Sequence, residues 1–568
     1  MILWTTDLPP FVLFYAAAFA ALYLRGWWRS VVMLLVPVAG GIHLAGVADG
    51  TALHLSVLGF ELQPYRVDAL SRLFGYLFHI AAFIGIVYSL HVKDTRQQVS
   101  ALLYAGSALG AVFAGDLMTL FIFWEMLTLS SVFLILARDT ERSRSAAVRY
   151  LVIQILSGVL LLAGALLWYQ KTGSMAFTFI GIDNVAGLLI LAAFGIKCAF
   201  PLLHNWLTDS YPEATPTGTV FLSAFTTKVA VYALVRGFPG TEELIYIGAV
   251  MTCFPIFYAV IENDLRRVLA YSMINQIGFM VVGVGIGTEL ALNGAVAHAF
   301  NDVIFKGLLM MSMGAVLHLT GRINGSDLGG LYKSMPWTTT FCIIGAASIS
   351  AFPLFSGFVS KSMVMSAALD GNHQVVWLML LFASAGVFHH AGIKIPFFAF
   401  FYKDAGLRPG EAPPNMLIAM AISALLCILI GVFPSILYGS LPFAVDYNPY
   451  DSSHVLAQLQ ILFFSAAAFA WLKLSGIYPP ELHSTNLDFD WTYRRFAPQL
   501  ISRITLLMNT MYQGLRNAVR RRYHALLYKL EQHNGPQGLL ARSWPIGSMA
   551  LWVAILLAST LSLYFITG

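Results

Sequence analysis

The sequence alternates between long apolar stretches and short polar loops. An apolar stretch of roughly 18–25 residues is long enough to cross a bilayer as an α-helix. Sixteen candidates occur, near residues 10–24, 30–47, 69–92, 100–114, 117–137, 147–168, 186–206, 217–236, 243–261, 266–287, 290–319, 338–366, 375–402, 415–438, 454–474 and 546–566. The pattern predicts an all-α polytopic membrane protein with about 14–16 transmembrane helices.

The charged residues of the loops fall unevenly on the two sides of the predicted membrane. Loops after odd-numbered spans include RGWWR, HVKDTR and RDTERSRS, whereas those after even-numbered spans include FAGD, GTE and LDGNH. Basic residues concentrate on the cytoplasmic side of membrane proteins. We therefore expect a multi-pass protein of the inner (plasma) membrane, with the odd-numbered loops in the cytoplasm and both termini extracytoplasmic.

Residues 485–545 depart from this pattern, because apolar and basic positions are interleaved there at helical spacing. The apolar positions are Leu500, Ile504, Leu507, Met511, Leu515, Val519, Tyr523, Leu526 and Leu530. The pattern predicts a lateral amphipathic helix of roughly 50 Å along the cytoplasmic surface. Such a helix serves either as a lipid anchor or as a brace against its own bundle or a neighbouring subunit.

The composition supports a membrane protein and excludes several other classes. Of 568 residues, 58% are hydrophobic and 11% charged, whereas soluble domains carry about 25% charged residues. The net charge of +5 comes from short loops and one tail, so no nucleic-acid partner is expected. The four cysteines are far apart, no set of metal ligands occurs, and no nucleotide-binding motif is present, so we expect neither metal nor cofactor.

The segment 188–236 contains two spans with a lysine near the middle of each, Lys197 and Lys228. A charge at that depth costs at least about 2.5 kcal/mol, and a lysine avoids this cost by losing its proton. Pro201 interrupts the first span, and broken helices line protein interior or water. The segment therefore predicts a proton-handling site at the midplane, and the alternative is that both lysines extend toward an interface. His204 follows the break without a nucleophile beside it, which argues against hydrolytic chemistry.

A short internal echo indicates two inverted repeats. The string AFPL occurs at 199–202 and again at 351–354, where Pro353 interrupts a second span with Lys361 nearby. Five spans separate the two strings, and an odd number predicts opposite orientations in the membrane. Inverted repeats with broken helices are typical of transporters.

Further polar residues lie inside predicted spans. Glu125 lies near the middle of its span, where a neighbouring lysine would let it ionise. His298, Asp302 and Lys306 are spaced four apart, so they share one helical face, which must contact protein or water. Lys394 lies late in its span, either in the membrane interior or at the cytoplasmic end.

Five strings carry a resemblance to a known family. They are FWEMLTLSS at 123–131, IKCAFPLLHNWL at 196–207, RRVLAYSMINQIGFM at 266–280, VAHAFNDVIFKGLL at 296–309 and SAFPLFSGFVSK at 350–361. Over about residues 60–440 the chain resembles the antiporter-like membrane subunits of Mrp-type cation/proton antiporters, respiratory complex I and membrane-bound hydrogenases. The string TTKVAVYALVR is most similar to the D-type subunit of Mrp antiporters.

The resemblance implies a proton path of carboxylate, lysine and histidine side chains across the midplane. Carried over by position, this relay comprises Glu125, Lys197, Lys228, His298, Lys306 and Lys361. In it, Glu125 pairs with Lys197. Lys228 and His298 are central, and Lys361 ends the second half-channel.

The accessory positions are Asp264, Asp302, His204 and Lys394. Asp264 matches an acidic position of some family members. The chain departs from the family pattern at Asp302, where a second histidine is common, and at Ser362, where an acidic residue often follows the terminal lysine.

These observations divide the chain into six predicted segments. They are N-terminal helices at 1–99, a first half-channel repeat at 100–236, a second, inverted half-channel repeat at 243–403, C-terminal transmembrane helices at 415–475, the amphipathic helix at 485–545 and a terminal transmembrane helix at 546–568.

The resemblance implies a proton-translocating subunit of a multi-subunit monovalent cation (sodium)/proton antiporter, which is part of a transporter and not an enzyme. Its expected partners are other membrane subunits, protons, sodium and the lipid bilayer. One alternative is a proton-pumping subunit of a complex I-like or hydrogenase-type redox complex. A second alternative is a non-transporting scaffold, although a scaffold gains nothing from charges buried in the membrane.

Overall fold

The structure, a computed structural model, describes residues 8–57, 59–484, 486–539 and 541–567. Residues 1–7, 58, 485, 540 and 568 of the predicted segments lie outside the described residues. The first helices are α1 (Pro10–Tyr23), α2 (Trp27–Ala45), α3 (Ala69–Ser89), α4 (Thr95–Phe113), α5 (Leu117–Leu136), α6 (Glu141–Thr172), α7 (Val185–Lys197), α8 (Asn205–Ser210), α9 (Gly218–Ala224) and α10 (Thr226–Gly237). They are followed by α11 (Glu243–Ile261), α12 (Leu265–Ile286), α13 (Glu289–Thr320), α14 (Pro336–Ile349), α15 (Ser356–Asp370), α16 (Gln374–Val387), α17 (Lys394–Pro396), α18 (Pro414–Val432), α19 (Ser435–Tyr438), α20 (Ser452–Leu474), α21 (Ala497–Asn534) and α22 (Ile546–Thr567).

The predicted helical membrane architecture is confirmed. Each of the sixteen predicted spans overlaps a helix, and among the described residues twelve helices are long and apolar enough to cross a membrane. The two predicted breaks fall between α7 and α8 and between α14 and α15. The short predicted span at 100–114 is part of α4, which begins earlier because the side chain of Asp94 accepts a hydrogen bond from the Arg96 amide and caps the helix.

One β-hairpin, which the hydrophobic pattern does not predict, lies between α2 and α3. Its strands, β1 (Ala52–Val57) and β2 (Phe60–Arg66), pair antiparallel. The Gln63 amide donates to a carboxylate oxygen of Asp116 at 2.7 Å, which ties the hairpin to the start of α5. Strands of six and seven residues are too short to be detected as membrane spans.

The same local pattern begins a helix group twice. Asp116 caps the N-terminus of α5 and forms an isolated β-bridge with Ala176, and Asp264 caps α12 and forms the matching bridge with Asn324. Each bridge joins the start of one helix to the segment that leads into a broken helix. This recurrence supports the predicted repeat, while the opposite orientation of the two copies stays a prediction.

Two of the helices in the interior of the first structural unit carry the predicted polar residues at their centres. Residues 291–316 of α13 and residues 268–285 of α12 are all buried. Their polar side chains therefore contact protein and not lipid. The predicted polar stripe of α13 lies entirely within this buried stretch.

The chain forms two units, Met1–Asp488 and Phe489–Gly568. The second unit contains α21 and α22. α21 has 38 residues, so it is about 57 Å long, and the predicted long helix is confirmed. None of its residues is buried. Its placement along the membrane surface stays a prediction.

Candidate functional site

The first broken helix ends in a turn of unusual backbone geometry. α7 stops at Lys197, and both Ala199 (φ 59°) and Leu202 (φ 70°) take the left-handed conformation. Residues other than glycine adopt it at a cost, so it persists only where the surroundings impose it. The Phe200 amide donates to the Gly195 carbonyl at 2.9 Å and closes the turn around Pro201.

The second broken helix repeats this turn. Ala351 (φ 57°) and Leu354 (φ 72°) are left-handed, and the Phe352 amide donates to the Ala347 carbonyl at 3.0 Å. The two AFPL strings therefore share backbone geometry as well as sequence. Each turn interrupts a helix and frees main-chain carbonyls from helical hydrogen bonds.

Lys197 is completely buried and bonds to α5. Its Nζ donates to the Trp124 carbonyl at 2.7 Å and to Thr128 Oγ1 at 3.0 Å, and it lies 4.8 Å from the centre of the Trp124 ring. No ion pair within 4.0 Å joins Lys197 to Glu125 among the described side chains, although the two are close enough to interact electrostatically, so their pairing stays a prediction. Glu125 instead lies against Gly158 of α6, where a Cβ would overlap its Oε1.

A buried ion pair occupies the centre of the bundle. Lys228 Nζ lies 2.5 Å from Asp302 Oδ2, and both side chains have 0% exposure. Lys228 follows the break between α9 and α10, and its Nζ also donates to the Ser223 carbonyl at 3.2 Å. Two opposite charges in direct contact offset much of the cost of burying either one alone.

Polar side chains of α12 bind the polar face of α13. His298 Nε2 lies 3.2 Å from Gln276 Oε1, and Lys306 Nζ donates to Ser272 Oγ at 2.8 Å. Ser272 and Gln276 are four residues apart, so they form one face of α12. The remaining ring nitrogen of His298, Nδ1, lies 3.0 Å from Ser360 Oγ of α15. The histidine thus joins α12, α13 and α15.

Lys361 lies next to Ser360 and directly at the second break. Its Nζ donates to the carbonyl of Ile349, the last residue of α14, at 2.8 Å and lies 5.1 Å from the Phe279 ring centre. The break therefore supplies the acceptor that this buried lysine needs.

Comparison with known proteins places these residues in a family. Residues 114–388 match the family described as NADH:quinone oxidoreductase/Mrp antiporter, TM. Over 396 residues the chain is 30% identical to the D subunit of the Na(+)/H(+) antiporter of Alkalihalophilus pseudofirmus, an alignment that covers 64% of this chain and 80% of that protein. The chain belongs to this antiporter family. It is also 30% identical over 495 residues to the A subunit of the Na(+)/H(+) antiporter of the same organism, covering 76% of this chain and 61% of that protein.

A solved structure shares the whole fold. The chain superimposes with a TM-score of 0.71 and 21% identity on a chain of the membrane-bound sulfane sulfur reductase (MBS), an archaeal respiratory membrane complex. The match covers 98% of this chain and 100% of that chain. The predicted antiporter-type fold is therefore confirmed.

The four accessory residues make different kinds of contact in the structure. Asp302, a departure from the family pattern, contacts Lys228 directly and belongs to the centre of the site. Asp264 instead caps α12 by accepting from the Arg266 and Arg267 amides, and its accessory role stays a prediction. His204 and Lys394 both contact carboxylates that follow α20, far along the chain.

Several residues of the site were not singled out from the sequence. Ser272 and Gln276 lie inside the string RRVLAYSMINQIGFM, and their spacing of four was the available signal. Glu481 and Asp488 lie outside the region of resemblance, and no local pattern indicates that they fold back onto the bundle. Long-range contacts of this kind are set by tertiary packing and leave no periodic signal.

Proposed function

We propose that this chain is the proton-translocating membrane subunit of a multi-subunit sodium/proton antiporter. The observation that carries the proposal is a series of titratable side chains with 0–1% exposure inside the bundle. The series is Lys197, Lys228, Asp302, His298, Lys306 and Lys361. Burying so many ionisable groups is costly, and proton transfer gives this cost a function that a scaffold would not need.

The central step is a change of partner at Asp302. In the structure it pairs directly with the Lys228 amine. Lys306 lies one helical turn further along α13, so it is the alternative cation for the same carboxylate. When Asp302 turns to Lys306, Lys228 is left in a dry site, its N–H bond breaks and the proton passes to the next base. A bias of about 5.5 kcal/mol moves such a switch from 1:99 to 99:1.

His298 connects this pair to the second break. Gln276 Oε1 can only accept, so Nε2 carries the ring proton and Nδ1 accepts from the Ser360 hydroxyl. Lys361 follows Ser360 on α15. The histidine accepts a proton at one nitrogen and releases one at the other, which carries charge between α13 and Lys361.

In the first half-channel, Glu125 acts on Lys197 without touching it. Trp124 holds the amine through its carbonyl and its ring, and the carboxyl belongs to the adjacent residue. A charge on Glu125 therefore shifts the balance between the charged and neutral forms of Lys197 through space.

The test uses inverted membrane vesicles that contain the whole complex. Lys228→Met is expected to abolish sodium-dependent proton movement while the complex still assembles, because the amine that carries the proton is removed. Lys333→Met is the matched control, since this lysine is exposed and pairs with Asp404. Sodium-dependent proton movement at the normal rate in Lys228→Met vesicles would contradict the proposal.

A second candidate function is proton pumping in a redox complex. The likeness to the chain of the respiratory complex extends over 98% of this chain, whereas the alignment with the D-type antiporter protein covers 64%. Purification of the native complex decides between the two: co-purifying iron–sulfur subunits favour redox pumping, and further membrane subunits alone favour antiport. For either function we propose the inner (plasma) membrane, with both termini extracytoplasmic, as the location.

A further inference from the structure

The segment after α20 folds back onto the bundle. We call residues 478–484 and 486–488 the strap. Two of its carboxylates are buried: the side chains of Glu481 and Asp488 have exposures of 6% and 2%. Glu481 lies 2.9 Å from Lys394 Nζ, which also donates to the Val260 and Glu262 carbonyls at the end of α11.

Asp488 lies where the first broken helix resumes. Its Oδ2 lies 3.1 Å from His204 Nε2 and accepts from the Tyr271 hydroxyl at 2.6 Å, and its Oδ1 accepts from the Asn205 side chain. His204 and Asn205 directly follow the turn around Pro201, and Tyr271 is part of α12. A single carboxylate thus touches both the first half-channel and the helix that binds His298 and Lys306.

The strap also lines a polar cavity of about 280 Å³. Leu482, His483 and Ser484 form one wall, and Glu262 and Arg267 lie opposite. A polar cavity of this size holds several water molecules. Burial raises the pKa of Glu262 and that of Glu481. Both carboxyls therefore bind a proton more readily than an exposed glutamate does.

Asn486 connects the lining of the cavity to Asp488. The Asn486 side chain donates to Glu262 Oε2 at 3.4 Å and to the Ile261 carbonyl at 3.2 Å. Asp488 follows two residues later. His204 is fixed on its other side by the Phe254 ring at 4.7 Å, and its second nitrogen, Nδ1, is buried without a hydrogen-bond partner among the described residues. A buried nitrogen of this kind calls for a bridging water molecule as its partner.

We propose that Asp488 and His204 form a proton-transfer site that connects this water-filled cavity to the first half-channel. In the inward direction the O–H bond of the Asp488 carboxyl breaks and an N–H bond forms at His204 Nε2. The Nδ1–H bond of the imidazolium then breaks, and the proton binds a water molecule that bridges this buried nitrogen to the first half-channel. The site rests on the proposed function, because a proton path must already exist for it to feed.

The first experiment measures cation-driven proton movement in vesicles that contain the whole complex. Asp488→Asn replaces the carboxylate by an amide of nearly the same size and keeps an oxygen that accepts from Tyr271. The amide, however, cannot take up and release a proton as a carboxyl does. We expect assembly to be normal and the rate to fall at least about tenfold, as for loss of a positioned acid–base group. Asp490→Asn is the matched control, because Asp490 is equally buried but pairs with Arg494 four residues on.

The second experiment separates proton transfer from a positioning role. Asp488→Ala opens space for a small carboxylic acid, and added formate is expected to restore part of the rate. Lys228→Met vesicles with added formate are the control for any effect of formate elsewhere. Formic acid that crosses the membrane dissipates the proton gradient, so it lowers the measured proton movement and cannot imitate the restored rate. If formate restores nothing in an assembled Asp488→Ala complex, the carboxylate acts by positioning and the proposal is wrong.

Two further results bear on the same site. His204→Gln is expected to give the same loss as Asp488→Asn, and the double variant no additional loss, since the two residues act in one path. The inference would be overturned if the loss in the double variant were the product of the losses in the two single variants. It would also be overturned if Asp488→Asn and Asp490→Asn lost the same fraction of the rate. A normal rate in Asp488→Asn beside an inactive Lys228→Met overturns only this inference, whereas normal rates in both overturn the proposed function as well.

Discussion

The two broken helices share a turn but use it differently. In the first, the Trp206 indole donates to the Ile196 carbonyl at 2.7 Å and satisfies the end of α7. Lys197 therefore bonds to the Trp124 carbonyl of α5. In the second, Lys361 donates to the Ile349 carbonyl at the end of α14. One backbone motif thus serves two arrangements, and the residues around the turn decide whether the freed carbonyl binds a lysine.

The first half-channel and the central site also differ in how a carboxylate meets the lysine. In the first half-channel the nearest predicted carboxylate, Glu125, makes no ion pair within 4.0 Å with Lys197. The central lysine, Lys228, contacts Asp302 directly. The first site therefore holds its lysine mainly by neutral acceptors, while the central site holds it by charge. We expect substitutions at the central pair to cost the most.

The largest expected effect comes from Asp302→Asn. The substitution leaves Lys228 as an uncompensated buried charge, which typically costs about 3–5 kcal/mol. We expect loss of transport and a clear drop in the thermal stability of the purified complex. Lys228→Met/Asp302→Asn removes both charges and is expected to recover most of the stability but no transport. If the double variant is no more stable than Asp302→Asn, the uncompensated charge of Lys228 is not the cause of the lost stability.

The next effect tests whether the lysine at each break must release its proton. Lys197→Arg and Lys361→Arg keep a cation but one that does not deprotonate in proteins. We expect both to lose transport with normal assembly, as measured by vesicle proton movement. Lys333→Arg is the control on the exposed Lys333–Asp404 pair. An arginine at 197 that supports near-normal transport would mean that this side chain only extends toward an interface.

A smaller effect is expected at Gly158. A Cβ there would overlap Glu125 Oε1, so Gly158→Ala must displace the carboxyl from its place beside α6. We expect transport to fall severalfold, with a stability cost of about 1–3 kcal/mol for the added volume. Glu125→Asp shortens the side chain and is expected to relieve the clash, so Gly158→Ala should cost less in that background. If Gly158→Ala costs as much transport in the Glu125→Asp background as in the wild type, a contact of α6 other than the one with Glu125 is responsible.

The two breaks also show what sequence alone can predict here. The AFPL strings, the mid-span lysines and the α13 stripe were identifiable, because each is a local departure from an apolar helix. The distance between Glu125 and Lys197 could not be predicted, since it depends on the rotamer that places the Glu125 carboxyl against Gly158 of α6. The strap was undetectable for the same reason: Asp488 reaches His204 across 284 residues of sequence.

The smallest expected effect tests the first break itself. Trp206→Phe keeps the ring but removes the N–H that satisfies the Ile196 carbonyl. The carbonyl keeps the Ala199 amide, which donates to it at 3.1 Å, so the loss of one of its two partners is expected to cost about 1 kcal/mol. We expect a modest drop in thermal stability, and transport that persists because Lys197 keeps its bonds to Trp124 and Thr128. Trp337→Phe, at an exposed indole, is the control for loss of a tryptophan. Unchanged stability in Trp206→Phe would mean that water or another donor replaces the indole. The first break would then hold an accessible carbonyl like the one that Lys361 uses in the second.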